Sequence, residues 1–459
     1  MMKKLFILAI LALVTTPVFA QSVDTAWVRR YNGPGNDNDG AYAIALDSSG
    51  NVYVTGWSGG SGTDYDYATV KYYPNGDTAW VQTYNGPVNA WDYAYAIAVD
   101  TSGNAYVTGW SGGSGTSDDY ATIKYYSNGD TAWVRRYDGP GDYSYDHAIA
   151  IAVDDSGNVY VTGWSGGSGT NDDYATIKYY PNGDTAWVRR YNGPTNYDDQ
   201  ASAIAVDDSG NVYVTGSSYN GLNYDYATIK YYPDGDTAWV RRYNGPGNDW
   251  DGAYAIAVDG SGNVYVTGRS GGSGTGYDYA TIKYYPNGDT AWVRRYNGPE
   301  NSIDAAYAIA VDGSGNIYVT GISGGGATIS DYATIKYYSN GDFAWVRRYN
   351  GPGNGEDCSY AIAVNDSGYV YVTGSSPGSG TDLDYATIKY VQFLCGDVNK
   401  DGVVNSADVS YLINYLFIGG PTPVPILHVG DVNQDEAVNS ADVAYLINYL
   451  FIGGPAPCG

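Results

Sequence analysis

Residues 150–163 read AIAVDDSGNVYVTG, and residues 173–194 read DYATIKYYPNGDTAWVRRYNGP. Both stretches recur with small changes along most of the chain. The Trp of the AWV triplet stands at 27, 80, 133, 187, 239, 292 and 345, a spacing of 52 to 54 residues throughout. A fixed period of this length marks a repeat architecture in which each copy is one supersecondary unit. Four segments of each copy, AIAVD, VYVTG, YATIKYY and AWVRRY, are rich in residues that suit a pleated, half-buried surface. Asp155–Asn158 joins the first two, and Pro181–Asp184 joins the last two. Both links are tight and contain Gly, which enters backbone conformations that other residues resist. Such hairpins force antiparallel pairing, which argues against a parallel β-solenoid.

Four antiparallel strands per unit, repeated seven times, predict an all-β seven-bladed β-propeller over residues 21–391. The first copy starts with AWVRRY (26–31) and the last ends with YATIKY (385–390). The phase predicts that 26–31 is the outermost strand of the last blade and closes the propeller without a free edge. The AIAVDxSGNVYVTG core resembles the β-propeller repeat of bacterial secreted and surface proteins. That resemblance implies a fold and carries almost no chemistry.

Strand order places the short turns on one face and the two variable stretches of each copy on the other. Long loops on a rigid scaffold are where binding usually resides. The AWV Trp is present in all seven copies and reads as packing. The position after VYVTG is Trp57, Trp110, Trp164, Ser217, Arg269, Ile322 and Ser375. A core position would hardly accept Ser and Arg, so Trp57, Trp110 and Trp164 are expected at the loop-bearing face. Trp91 and Trp250 lie in variable loops of that face. Exposed Trp beside Asp, Asn and Tyr suits a glycan surface or a protein interface, and equally suits rings packed on neighbouring loops. Residues that break the repeat are His147, Gln200, Arg269, Glu300, Glu356 and Asp357. His147 beside Asp146 could serve as a base, but a lone His is an unspecific signal. No nucleophile motif and no singled-out acid pair is present, so no catalytic residue is assigned.

Composition changes after residue 391. Two segments follow, GDVNKDGVVNSADVSYLINYLFIGG from Gly396 and GDVNQDEAVNSADVAYLINYLFIGG from Gly430. Asp397, Asn399, Asp401, Asn405 and Asp408 stand at positions 1, 3, 5, 9 and 12 of a calcium loop. Asp431, Asn433, Asp435, Asn439 and Asp442 repeat that spacing. Calcium takes six to eight oxygens, and short oxygen-bearing side chains at alternate positions can wrap it. Val403 and Ala437, at position 7, would each offer a backbone carbonyl. A helix is expected after each loop, started at Ser406 and Ser440 and ended by Gly-Gly.

Loop plus following helix, twice, resembles a type I dockerin over residues 395–458. The resemblance implies a calcium-dependent module, here residues 392–459 with two calcium ions, that docks onto a cohesin. It implies partner contacts from Ser406, Ala407, Ser440 and Ala441. Glu436 stands where Gly402 sits in the first loop, a departure that would weaken the second site.

The chain has 459 residues and a formal net charge of −26. An acidic balance argues against nucleic acid as a partner. Residues 1–20 read as a secretory leader: Lys3 and Lys4, the run LFILAILALV, then Pro17–Ala20. That run is too short for a membrane span, and no other is long enough. Export makes a disulfide possible. Cys395 and Cys458 bracket the C-terminal module and are paired as a hypothesis, with Cys358 left over; a peptide map linking Cys358 to either one would refute it. The leading expectation is a secreted, non-catalytic binding or scaffold-associated protein, held at a cell surface or complex through cohesin. The alternatives are a polysaccharide-active enzyme, hydrolase or lyase, and a structural surface or matrix spacer.

Overall fold

The computed structural model describes residues 27–141, 144–325, 328–365, 368–379, 383–390, 396–399, 404–423, 430–433 and 437–455. Asp401, Val403, Asp435, Glu436, Cys395 and Cys458 lie outside the described residues, as does the expected leader. The chain divides into two compact units, residues 1–157 with 181–183, and residues 158–180 with 184–459.

The fold is a β-propeller followed by a helical module. The first blade is β1 (Asp39–Leu46), β2 (Val52–Gly59), β3 (Tyr65–Tyr72) and β4 (Thr78–Tyr84), in that order and antiparallel. The second is β5 (Asp92–Val99), β6 (Ala105–Gly112), β7 (Asp118–Tyr125) and β8 (Thr131–Tyr137). Blades three to six repeat the order. The seventh is three strands, Cys358–Val364, Val370–Pro377 and Leu383–Tyr390. Residues 27–31, expected as its fourth strand, carry no strand. Their side chains are engaged instead: the Trp27 indole donates to the Pro74 carbonyl at 3.0 Å and Arg29 Nε to the Gly76 carbonyl at 2.6 Å. The outermost strand β8 is tied in the same way, by Trp133 to Pro181 at 3.1 Å and Arg135 to Gly183 at 2.6 Å. The repeat phase therefore holds at the level of side-chain contacts, while the backbone ladder of the last blade stops at three strands.

One aspartate in most blades is a turn lock. In the DTSGN turn of the second blade, Asp100 accepts from the Ser102 and Asn104 amides, both at 2.9 Å, and from the Tyr106 hydroxyl at 2.9 Å. Burial opposes ionisation there, but the hydrogen bonds from Asn104, Tyr106 and Ser102 prevail and hold the carboxyl below its ordinary value. Gly103 in this turn has φ +75° and Gly129, in the following turn, +96°, which a side chain would strain. The same turn recurs at Asp207, Asp259 and Asp312.

Neighbouring blades are joined by long-range contacts. Tyr67 and Tyr226 are fully buried, and their hydroxyls donate to Ala121 and Ala280 carbonyls of the next blade, both at 3.1 Å. The AWV tryptophans Trp133, Trp187, Trp239 and Trp292 are buried, so their reading as packing holds for these copies. Trp187, Trp239 and Trp292 pack on β-branched side chains of the next blade, as Trp239 does with Val264, Val266 and Ile282. Among the described residues no disulfide is present; Cys358 is a buried free thiol, and burial pushes its pKa up.

The C-terminal module contains α1 (Ser406–Ile413) and α2 (Ser440–Ile447), each followed by a five-residue π-type turn, 414–418 and 448–452. Gly419 and Gly453 end them in the left-handed conformation, φ 83° and 84°. Val398, Val409, Leu412 of the first repeat and Val432, Val443, Leu446 of the second form one core. Phe417 is 65% exposed, and Phe451 in the second repeat is 66% exposed. Among the described residues no helix is long and apolar enough to cross a membrane.

Candidate functional site

The two loop–helix repeats share one local design. Asn405 caps α1: its side chain accepts from the Ala407 amide at 2.7 Å, and Asp408 reaches back to the Asn405 amide at 2.8 Å. This reciprocal pair is a capping box. Asp408 also accepts from the Asn399 amide at 3.2 Å, which folds the loop over the helix start. The second repeat copies this: Asn439 accepts from Ala441 at 2.7 Å, and Asp442 accepts from Val432 at 2.8 Å and from Asn439 at 2.7 Å.

Four of the expected calcium ligands, Asp397, Asp408, Asp431 and Asp442, are buried carboxylates at the two loops. Burial raises the pKa of Asp442, its backbone hydrogen bonds lower it, and the charge of Asp431 raises it again; the carboxyl ends above its ordinary value. Converging, buried, all-oxygen donors fit a hard divalent cation and fit little else. Asn399, Asn433 and Ala437 are placed in the same loops, and Ser406, Ala407, Ser440 and Ala441 are exposed on the first turns of α1 and α2.

On the propeller the expected tryptophans sit differently from their reading. Trp57, Trp110 and Trp164 lie within the second strands of their blades, not in the loops. Trp57 and Trp164 are half-buried, and Trp110 is 8% exposed. Trp110 stacks between Tyr93 at 4.8 Å and His147 at 4.9 Å, and its indole donates to the Tyr95 hydroxyl at 3.2 Å. Trp57 packs on Tyr65 at 4.5 Å, over Gly40, where a Cβ would collide with its indole. Arg269, at the same position of the fifth blade, lies over Trp250 at 4.3 Å and Tyr277 at 4.9 Å.

Exposed rings include Trp91 (53%) and Trp250 (41%), with Tyr145 (57%) and Tyr197 (56%). His147 Nε2 is 3.2 Å from Asp118, and Gln200 makes the equivalent contact with Asp172 at 3.3 Å. His147 is therefore one solution at a repeated polar position. Asp357 is no breaker of the repeat; like Asp92, Asp199 and Asp304 it opens its blade and accepts from a loop glycine amide, here Gly351 at 2.9 Å. The residues that sequence reading passed over are Gln82 and Thr83, which replace the Arg-Arg pair of AWVRRY in the first blade alone. Aligning the seven copies column by column would have shown them.

Residues 395–451 match the family described as Dockerin type I domain. Residues 26–62, 88–115, 133–169, 186–223, 238–274 and 291–326 match the family described as Beta-propeller repeat. No curated protein matches. Among solved structures, Sqt1 of Chaetomium thermophilum bound to the N-terminus of ribosomal protein L10 is similar at 12% identity, over 73% of this chain and 82% of that one, with a TM-score of 0.48. Polysaccharide lyase Uly1 is similar at 12% identity over 81% and 93%, TM-score 0.45. The β-propeller domain of the Trilobed protease from Pyrococcus furiosus is similar at 8% identity over 76% and 97%, TM-score 0.43. At such identities nothing about ligand or activity carries over.

Proposed function

Since the chain is a β-propeller repeat protein that carries a dockerin type I domain, we propose that it is a secreted, non-catalytic binding protein attached through a calcium-dependent cohesin contact. The observation that carries this reading is the paired loop–helix design, with buried aspartates behind each helix start and exposed Ser406, Ala407, Ser440 and Ala441 upon it. One calcium ion in each loop would neutralise the buried carboxylates and hold the loop closed on its helix. Asp397, Asn399, Asp401, Val403, Asn405 and Asp408 hold the first ion, and Asp431, Asn433, Asp435, Ala437, Asn439 and Asp442 the second. The near-identity of the two repeats presents the same helix face twice. Phe417, Ile418, Phe451 and Ile452 give the module exposed apolar area that a partner can cover.

The propeller supplies recognition. In the first unit Trp91 is exposed beside Tyr65 and Tyr93, both at 6.4 Å. In the second, Trp250 is exposed beside Tyr224 at 5.4 Å and beneath Arg269. Flat rings edged by hydroxyls and aspartates suit sugar rings, with a protein ligand as the competing occupant. Surface plasmon resonance of the full chain over immobilised type I cohesins, with calcium and then with EDTA, tests the attachment. Absence of calcium-dependent binding to every cohesin of a diverse panel refutes it. A glycan array probed with wild type and Trp91→Ala/Trp250→Ala tests the propeller's ligand class.

A further inference from the structure

A polar row crosses each complete blade. In the second blade Asp92 of β5 is opposite Ser111 of β6, which is opposite Asp119 of β7. All three are buried. Arg136 of β8 supplies the cation. Its guanidinium donates to Asp119 Oδ2 at 2.8 Å, Ser111 Oγ at 2.5 Å, and the carbonyls of Ser111 and Gly112 at 2.8 and 3.0 Å. A fifth bond, at 3.1 Å, reaches the Tyr84 hydroxyl of the preceding blade. The fifth blade repeats the set: Arg295 binds Asp278 at 2.7 Å, Ser270 Oγ at 2.5 Å, and the Ser270 and Gly271 carbonyls at 2.9 and 3.1 Å. Arg348 makes the same contacts in the sixth blade, and Arg242 binds the serine hydroxyl, the serine carbonyl and the aspartate in the fourth.

The first blade keeps the acceptors and lacks the donor. Ser58 and Asp66 occupy the positions of Ser111 and Asp119, and Ser58 pairs with Asp66 in the same register. β4 is in place, and Thr83 is opposite Ala68 as Arg136 is opposite Ala121. A threonine ends at Cγ, so the volume and the positive charge of the guanidinium are both missing. Ser58 is 1% and Asp66 8% exposed; Ser58 Oγ has no hydrogen-bond partner, and Asp66 Oδ1 has none either, as is also true of Asp119 Oδ1 and Asp278 Oδ1 in blades that keep the arginine. In the second, fourth, fifth and sixth blades the matching serine hydroxyl is held by arginine. Asp66 retains a 3.0 Å bond from the Thr63 hydroxyl, which supplies no charge. Asp92 of the next blade is fully buried with its Oδ1 unpartnered; the charge of Asp66 opposes its own, and Arg136 of its own blade offsets part of it. One junction further on, the corresponding pair Asp119 and Asp146, with Asp138, brings its oxygens within 4.8 Å of one another. A buried carboxylate without the arginine that its sisters have is strongly unfavourable, so Asp66 calls for something cationic.

We infer that the first blade binds a calcium ion in the space that arginine fills in its sister blades, with Asp66, Ser58 Oγ and the Ser58 and Gly59 carbonyls as ligands and Asp92 as the second carboxylate. The donors are all oxygen, with no nitrogen or sulfur, which selects a hard cation. Two carboxylates call for a divalent one. The Gly59 carbonyl already accepts from the Gly35 amide at 2.9 Å and keeps a second lone pair. This site is separate from the two loops of the C-terminal module and does not depend on them.

The test counts calcium on the full chain by native mass spectrometry after dialysis against limiting calcium. Thr83→Arg, which restores the guanidinium, is expected to bind one ion per chain fewer than wild type. Asp66→Asn is expected to lose the same ion and serves if Thr83→Arg does not fold. In parallel, the unfolding midpoint is followed by tryptophan fluorescence; the last of the 12 Trp is Trp345, so the signal belongs to the propeller. Calcium should raise that midpoint in wild type and leave it unmoved in Thr83→Arg. Equal ion counts in wild type and variants, or a wild-type propeller midpoint indifferent to calcium, would overturn the assignment.

Discussion

Replacing Asp199 by Asn should make the propeller more stable at neutral and alkaline pH. Asp199 opens the fourth blade and is fully buried, with its Oδ2 accepting from the Gly193 amide at 2.5 Å. Burial pushes its carboxyl up; bonds from Ser218 and Gly193 and the nearby Arg242 pull it back, the charge of Asp173 pushes again, and it settles at about 6. The ordinary value is 3.8, so the group is about two units harder to ionise in the folded chain. At ~1.4 kcal/mol per unit, holding it ionised costs about 3 kcal/mol. The sign follows from linkage: a carboxyl raised on folding contributes stability that is complete below its unfolded value and is lost as pH rises through its folded value. Between pH 5 and pH 8 the loss from Asp199 alone is about 1.4 kcal/mol. Asn keeps the acceptor for Gly193 and does not titrate. In EDTA, urea unfolding followed by tryptophan fluorescence should show Asp199→Asn more stable than wild type at pH 8 by about 1 to 3 kcal/mol, with the gap narrowing by about 1.4 kcal/mol at pH 5. A variant less stable than wild type at pH 8, or a gap independent of pH, would refute the reasoning.

Other outcomes follow from the same contacts. Chelation should abolish the far-ultraviolet helical signal of residues 404–455 while leaving the propeller's tryptophan emission nearly unchanged; loss of both together would contradict independent calcium folding of the module. Ser406→Arg with Ala407→Arg should weaken cohesin binding by about twofold, since the second repeat offers the same face, and adding Ser440→Arg with Ala441→Arg should remove it, losing over ~3 kcal/mol, as read by calorimetry. Arg295→Leu strands the buried Asp278 carboxylate and should cost about 3 to 5 kcal/mol by urea unfolding, whereas Arg29→Leu, at an exposed 3.8 Å pair with Asp77, should cost no more than ~1 kcal/mol from that pair.

Some of this was legible in order along the chain. Strand type, the Gly-containing hairpins and the seven-fold period are local properties: each depends on residues within about ten of one another, so pattern alone exposes them. The proposed calcium loops belong to the same class, because their candidate ligands come from twelve consecutive positions. The helix starts were readable for that reason too, and Asn405 and Asn439 cap them one residue before the serines chosen from propensity. Only tertiary structure decided the rest. Trp57, Trp110 and Trp164 looked exposed because their column varies, yet strand pairing and stacking on Tyr65, Tyr93 and His147 enclose them to differing degrees. Asp92, Ser111, Asp119 and Arg136 are spread over 45 positions and become a row only when four strands lie side by side. Thr83 stands out in the chain only as a break in the Arg-Arg column. It acquires meaning only because the fold brings Ser58, Asp66 and Asp92 toward the place where a guanidinium would have stood, and burial makes their charge a cost that something must offset.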